Sequence, residues 1–157
     1  MTKTIRRRRA EGRTDYKARF GMVKSGMPRV VVRKTNRYIL GQVVKSKEAQ
    51  DFVIVNTSSK DLMGKGWPSD KVGSLKNRVA AYLTGYNLGK LALSKKISEG
   101  ILDIGMHRNI QKSRMFSFLK GVIDSGFKVQ HSKEALPSDD FISINSEFKK
   151  IMEKIKA

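Results

Sequence analysis

The chain has 157 residues, no cysteine and a formal net charge of +19 at pH 7. The lack of cysteine excludes disulfide bonds and thiolate metal ligands, and no apolar run reaches the roughly 20 residues of a transmembrane helix. Residues 1–40 hold 13 lysines and arginines against two acids, a net charge of +11. Such a charge opposes a compact fold unless a polyanion neutralises it, so the composition predicts a nucleic acid partner.

The N-terminal segment is basic but has no apolar stretch behind its charges, so it does not match a signal peptide. A transit peptide is the nearest alternative, and the absence of apolar helical periodicity argues against it. Residues 1–13 lack any hydrophobic pattern, which predicts a disordered basic arm. Thr14 is then expected to cap a short helix that ends at Gly26. The arm and this helix form a predicted N-terminal unit, residues 1–27.

Three runs rich in Val, Ile and Tyr follow, at residues 29–34, 38–44 and 51–56. Short polar segments join them, which predicts an antiparallel three-stranded meander. Residues 57–76 predict a long polar loop, and loops of that length in compact domains are usually functional or disordered.

Two helices and one strand are predicted after this loop. The first helix covers residues 76–96, and its face of small residues is expected to lie close to the sheet. Residues 101–104 form a short strand that a crossover connection brings into the sheet. After a loop at 105–112, a second helix is expected from about residue 113 to residue 126. The small-residue face of the first helix consists of Ala81, Gly85, Leu88 and Ala92.

The last segment, residues 131–157, is predicted to extend a core at residues 28–130. Residues 127–140 are polar and predicted to be irregular. An apolar stripe then predicts an amphipathic helix, docked on its own domain or on a protein partner. The fold class is α/β with a mixed sheet, in the order meander, helix, strand, helix. The stripe consists of Ile144, Phe148, Ile151 and Ile155.

The arginine-rich arm is the strongest functional signal in the chain. Guanidinium groups on an extended arm can follow a groove and bind phosphates bidentately. A generic localisation signal is the alternative, but the basic charge continues into folded elements, which favours RNA. The predicted RNA contacts of this region are Arg6, Arg7, Arg8, Arg9, Arg13, Tyr16, Lys17 and Arg19.

The turn of the first hairpin combines cations with an amide and an aromatic ring. Such a set can contact a phosphate, a 2′-hydroxyl and an unstacked base. An ordinary polar turn is the alternative interpretation. The predicted contacts of the hairpin are Arg33, Lys34, Asn36, Arg37 and Tyr38.

Two later segments add basic residues. The only tryptophan of the chain could stack on RNA, although a lone tryptophan is more often a packing anchor. His107 has no second metal-type ligand nearby in sequence, which favours RNA contact or a structural role over metal binding. The predicted contacts of these segments are Lys65, Trp67, Lys71, His107, Arg108, Lys112 and Arg114.

The sequence gives little support to an enzymatic function. Metal-dependent phosphodiester chemistry needs converging carboxylates, whereas Asp51 and Asp103 are isolated in the sequence. There is no glycine-rich phosphate loop, and Ser113 has no evident His–Asp partnership. We therefore predict no catalytic residue, no metal and no cofactor. A nuclease and an architectural DNA-binding protein remain as competing hypotheses.

Several segments resemble the family of large-subunit ribosomal protein eighteen, whose eukaryotic counterpart is numbered five. Residues 28–39 (PRVVVRKTNRYI) resemble its hairpin, and residues 6–16 (RRRRAEGRTDY) resemble its archaeal arm. Residues 77–90 are similar to its first long helix, and residues 103–108 and 116–126 to its second half. The match keeps the family's order over nearly the whole chain. The arm, the long loop and the C-terminal extension resemble the archaeal–eukaryotic branch.

The resemblance implies a core related to the ribonuclease H-like fold without its catalytic carboxylates. It also implies a structural protein that binds 5S rRNA, large-subunit rRNA and neighbouring ribosomal proteins in the central protuberance of the cytoplasmic ribosome. Neither a membrane nor a small-molecule substrate is expected. Gln130 departs from the family's proline before His131, and residues 109–112 replace a loop richer in proline and glycine. These departures concern the paths of the two loops.

Overall fold

The computed structural model describes residues 4–48, 50–138 and 151–155. Within them, no helix is long and apolar enough to span a membrane. Three short 3-10 helices cover Ser59–Leu62, Ser69–Ser74 and Lys133–Ala135. The helices are α1 (Arg7–Ala10), α2 (Tyr16–Lys24), α3 (Arg78–Ser94) and α4 (Arg114–Asp124). The strands are β1 (Arg29–Lys34), β2 (Ile39–Lys47), β3 (Gln50–Ser58), β4 (Glu99–Asp103) and β5 (Lys128–Val129).

The five strands form one mixed sheet in the order β3-β2-β1-β4-β5. The predicted meander is confirmed, since β1, β2 and β3 pair antiparallel. The predicted crossover is also confirmed, because β4 pairs with β1 in parallel after α3. The ends of β2, β3 and β4 differ from the prediction by one to three residues, and one strand was not predicted. Strand β2 continues to Lys47 through a register shift at Val43/Val44, and β5 forms inside the segment that was predicted to be irregular.

Helices α3 and α4 pack against each other and cover one face of the sheet. The sheet approaches them closely at Gly41, where a Cβ atom would stand 2.6 Å from the ring of Phe118. The small residues of α3 were predicted to face the sheet, and for Gly85 this is wrong. A Cβ atom on Gly85 would stand 2.1 Å from the carbonyl oxygen of Phe118 in α4. Gly85 therefore allows contact between two helix backbones.

The core consists of two neighbouring clusters of buried side chains. The first lies between the sheet and the two helices and includes Val30, Val32 and Phe118. The second packs Leu62 and Trp67, from the segment predicted to be a polar loop, against α3. The prediction of a loop was therefore wrong in part, because the segment contains two 3-10 helices and buries Leu62, Trp67 and Leu75 in the core. Leu62 and Leu75 are both fully buried, and their removal from water stabilises this local order.

The C-terminal stripe contributes to the second cluster. Residues 151–155 are helical, and Ile151 and Ile155 are buried against that cluster. This confirms the predicted docking on the chain's own domain for the described part. Ile144 and Phe148 lie outside the described residues.

The N-terminal region differs from its prediction in two ways. Arg7–Ala10 form a helical turn where a disordered arm was predicted. Helix α2 is capped by Asp15, whose carboxylate accepts hydrogen bonds from the N–H groups of Lys17 and Ala18. Thr14, the predicted cap, instead accepts a hydrogen bond from the Nε of Arg8. Aspartate ranks above threonine as a cap, so the prediction of Thr14 was wrong on a preference that the sequence itself offered.

Candidate nucleic-acid interface

Basic side chains converge where the parallel strands β1 and β4 end and helices α3 and α4 begin. Two clefts open there, one of about 420 Å³ and one of about 340 Å³. The described residues that line them include no acid. Arg114 of α4 links the clefts by donating a hydrogen bond to the carbonyl oxygen of Lys76. We call this surface the basic edge; it consists of Lys34, Asn36, Arg37, Lys76, His107, Arg108 and Arg114.

The hairpin turn at the basic edge is rigid. Thr35 and Tyr38 hold it closed through three hydrogen bonds of 2.9 Å, two of which involve the Thr35 hydroxyl. These hydrogen bonds leave Asn36 and Arg37 exposed at the tip, while Tyr38 is half-buried against the second core cluster. The turn therefore presents an amide and a guanidinium group at fixed positions.

His107 connects the hairpin to the loop after β4. Its Nε2 accepts a hydrogen bond of 3.3 Å from the backbone N–H of Lys34, which requires that nitrogen to be unprotonated. Burial lowers the pKa of His107, and the charges of Arg33 and Lys34 lower it further. A phosphate bound here would oppose both charges and favour the protonated imidazole.

Helix α4 begins at the larger cleft of the basic edge. Ser113 occupies its N-cap position without making a side-chain cap, and the Ser113 hydroxyl is buried without a hydrogen-bond partner in the described structure. The first N–H groups of the helix are therefore left without a side-chain cap. Together with Arg108 and Arg114, they give this cleft the chemistry of an anion site. Lys112 lies exposed just before the helix, with φ of 54°.

Two of the arginines predicted to bind RNA form ion pairs with aspartates of the sheet. Arg33 donates to Asp103 at 3.1 Å, and Arg19 pairs with Asp51. Between these pairs lies Arg29, only 3% exposed, which bonds Asp103 at 2.9 Å and Asp51 at 2.8 Å. The two aspartates, which are isolated in the sequence, are joined in the structure through Arg29. They belong to one chain of ion pairs, which neutralises both carboxylates.

The pKa of Asp51 reflects this ion-pair chain. Burial alone would raise it, but a hydrogen bond from the Ser46 hydroxyl and the charges of Arg29 and Arg19 outweigh burial and hold the pKa below the ordinary value of an aspartate. A carboxyl group with a depressed folded-state pKa stabilises the fold above its unfolded pKa, and this contribution disappears as the pH falls through the folded pKa.

We therefore expect Asp51→Asn to be less stable than the parent at pH 6, with the difference shrinking as the pH falls below about 4. Urea unfolding at a series of pH values measures this. Asp70→Asn is the matched control, because Asp70 is exposed and forms no ion pair among the described residues. A stability difference for Asp51→Asn that is constant from pH 6 to about 3 would contradict the assignment.

The predicted contacts of the long loop are engaged within the fold. Trp67 is 9% exposed, and its Nε1 donates to the carbonyl oxygen of Lys71. Lys65 donates to Asn87 at 2.8 Å; burial lowers the pKa of Lys65, and the charge of Asp61 offsets this only in part. Trp67 is thus a packing anchor in this structure and could stack on RNA only by leaving the core.

The basic arm lies at the other end of the sheet from the basic edge. It forms a cleft with α2 and with Ser46 and Asp51, near the start of β1. The six residues of β1 separate the two surfaces by about 17 Å. Glu11 pairs with both Arg7 and Arg13 at exposed positions, where ion pairs contribute little stability. Arg8, Arg9 and Lys17 are also exposed.

The chain is similar in sequence to known proteins over most of its length. Residues 2–100 match the family described as ribosomal large subunit proteins 60S L5 and 50S L18. The chain belongs to this family. It is 47% identical over 135 residues to the large ribosomal subunit protein uL18 of Caldivirga maquilingensis, covering 85% of the chain and 63% of that protein. It is 44% identical to uL18 of Aeropyrum pernix, in a match that covers 85% of the chain and 61% of that protein. It is 48% identical to uL18 of Korarchaeum cryptofilum, in a match that covers 87% of the chain and 68% of that protein.

Family membership confirms the resemblance found in the sequence. The chain spans less than two thirds of the length of the first two L18 relatives. Among the predicted RNA contacts, the structure brings together Lys34, Asn36, Arg37, His107, Arg108 and Arg114. Sequence reasoning missed Lys76, whose only signal was its position just before the helix cap Asn77.

Proposed function

We propose that the chain is a structural constituent of the large ribosomal subunit that binds 5S rRNA and helps attach it to large-subunit rRNA in the central protuberance of the cytoplasmic ribosome. The acid-free basic edge is the observation that carries this proposal, and membership of the L5/L18 family supports it. A rigid turn beside two basic clefts suits recognition of a folded RNA by its shape and phosphates.

The basic arm is the second element of this proposal. Because it lies about 17 Å from the basic edge, at the opposite end of β1, a single nucleotide cannot contact both surfaces. We propose that the two surfaces contact separate parts of the RNA, one on each end of the sheet. The finer description of the fold, a core related to the ribonuclease H-like fold, is also a proposal; the β4 crossover beside β1 supports it.

Binding of the purified chain to 5S rRNA and to a transfer RNA at moderate salt tests the proposal. We expect tighter binding to 5S rRNA. Phosphate contacts alone would not distinguish the two RNAs, so a preference for 5S rRNA requires recognition of its folded shape. Equal affinity would refute specific recognition of 5S rRNA.

A general architectural DNA- or RNA-binding protein is the second candidate function. The exposed arginines of the arm favour it, because they need only a polyanion. Competition between duplex DNA and 5S rRNA separates the two candidates. Displacement of 5S rRNA by an equal concentration of duplex DNA would favour the architectural protein.

A further inference from the structure

A cleft of about 700 Å³ separates the basic arm from helix α2. We call it the arm cleft; no function described above uses its shape. Three of its lining side chains are large, apolar and open to solvent: Ile5 is 68% exposed, Phe20 69% and Val23 38%. Large apolar side chains that converge on one cleft favour a ligand with an apolar surface.

The charge of the arm cleft limits what this ligand can be. Asp51 is the single acid among its described lining residues, and Arg19 and Arg29 already share that carboxylate. Arg6 and Arg9 also line the cleft and form no ion pair within the described part of the chain. The cleft therefore combines an apolar wall with two uncompensated guanidinium groups.

One of these guanidinium groups is already positioned. The Arg6 guanidinium carbon lies 4.8 Å from the centre of the Tyr16 ring, within range of a cation–π interaction. This contact ties the arm to α2 and keeps the charge of Arg6 beside the apolar wall. A contact of the folded chain therefore helps to shape the cleft.

We propose that the arm cleft binds one unstacked nucleotide of RNA, with its base against Phe20 and its phosphate on Arg6 and Arg9. A base offers a flat π surface to an aromatic ring, and a phosphate accepts paired hydrogen bonds from guanidinium groups. An uncharged apolar peptide would leave both arginines unpaired, so charge complementarity favours a nucleotide. This inference rests on the proposed RNA-binding function and adds a second kind of contact at the far end of the sheet.

Photo-crosslinking of the full chain tests the site. The probe is 5S rRNA transcribed with 4-thiouridine, irradiated in the near ultraviolet and analysed by mass spectrometry after trypsin digestion. Cleavage after Arg19 and Lys24 releases residues 20–24 as one peptide, which carries Phe20 and Val23. We expect a cross-link in this peptide. Its absence, with cross-links elsewhere in the chain, would overturn the proposal.

A pair of variants adds a measurement of affinity. Phe20→Ala should weaken RNA binding by roughly fivefold to a hundredfold, the range measured for the loss of one stacked base. Phe52→Ala is the matched control, because Phe52 is 53% exposed and does not line the cleft; less than a twofold change is expected. Both side chains are exposed, so circular dichroism should show both variants folded. Equal effects of the two substitutions would overturn the proposal.

A second RNA separates this inference from the proposed function. A 4-thiouridine-labelled oligouridylate has no 5S structure but offers unstacked bases. Cross-linking of oligouridylate at residues 20–24 without preference for 5S rRNA would refute 5S recognition and leave the nucleotide site standing. Preference for 5S rRNA with unchanged affinity in Phe20→Ala would refute the nucleotide site alone. A dimer seen by sedimentation that only Phe20→Ala abolishes would assign the cleft to a second copy of the chain.

Discussion

Replacing Gly85 with alanine is expected to lower the free energy of unfolding by about 3 kcal/mol, at the upper end for overpacked cores. The new methyl carbon would stand 2.1 Å from the carbonyl oxygen of Phe118 and 2.9 Å from its carbonyl carbon. These are backbone atoms of a helix, so α3 and α4 must move apart as units. Urea unfolding followed by far-ultraviolet circular dichroism measures the loss.

Two further glycine substitutions make this prediction specific. Gly121→Ala on α4 should be similarly destabilising, because its methyl carbon would stand 2.1 Å from the carbonyl oxygen of Tyr82 on α3. Gly21→Ala in α2 is the control; nothing lies within 4 Å of its added carbon. Alanine is favoured over glycine inside a helix by about 0.5–1 kcal/mol, so this variant should lose no stability. Unchanged stability of Gly85→Ala would show that the two helix backbones are not in contact.

The same glycines show what hydrophobic periodicity can and cannot predict. The spacing of small and apolar residues correctly predicted that α3 is a helix, and it placed Gly85 and Leu88 on one face. It could not say which neighbour that face contacts, because sheet and helix partners both accept small residues. Leu88 does approach the sheet at Gly41, whereas Gly85 contacts α4. Strand β5 was missed for a related reason: two residues are too few to show an alternating pattern, and pairing with β4 alone defines the strand.

The exposure of the candidate contacts was easiest to predict where local chemistry determines it. The exposed tip at Asn36 and Arg37 follows from turn residues within a few positions of each other. The ion pairs of Arg19 and Arg33 join residues that are 32 and 70 positions apart. Sequence composition shows that such arginines are present, but only the folded chain shows which carboxylates they meet.

The buried Arg29 also changes how the two aspartates are understood. In the sequence, Asp51 and Asp103 are two acids that a nuclease hypothesis could use. In the structure, Arg29 lies between them and bonds both. Removal of one partner from a buried pair leaves an uncompensated charge, which is strongly destabilising. A divalent cation would have to displace that arginine, so the arrangement favours a structural role for both carboxylates.

Replacing Lys34, Arg37 and Arg108 together with glutamine is expected to reduce the salt dependence of RNA binding. Each phosphate contact contributes about 0.7–0.9 to the slope of log affinity against log salt, so three lost contacts should lower it by about 2–3. These residues suit the test because they lie on the basic edge and carry no ion pair among the described residues. Affinities for 5S rRNA at four or more salt concentrations give the slope.

The choice of residues makes the result interpretable. A triple change that included Arg33 and Tyr38 would also remove an ion pair to Asp103 and a side chain packed on the core, and would mix stability with binding. Changing Lys90, Lys96 and Lys128 to glutamine removes the same charge from exposed positions that do not line the clefts of the basic edge. An equal fall in slope for both triples would show that net charge alone drives binding. A fall confined to the first triple would assign the phosphate contacts to the basic edge, independently of the arm.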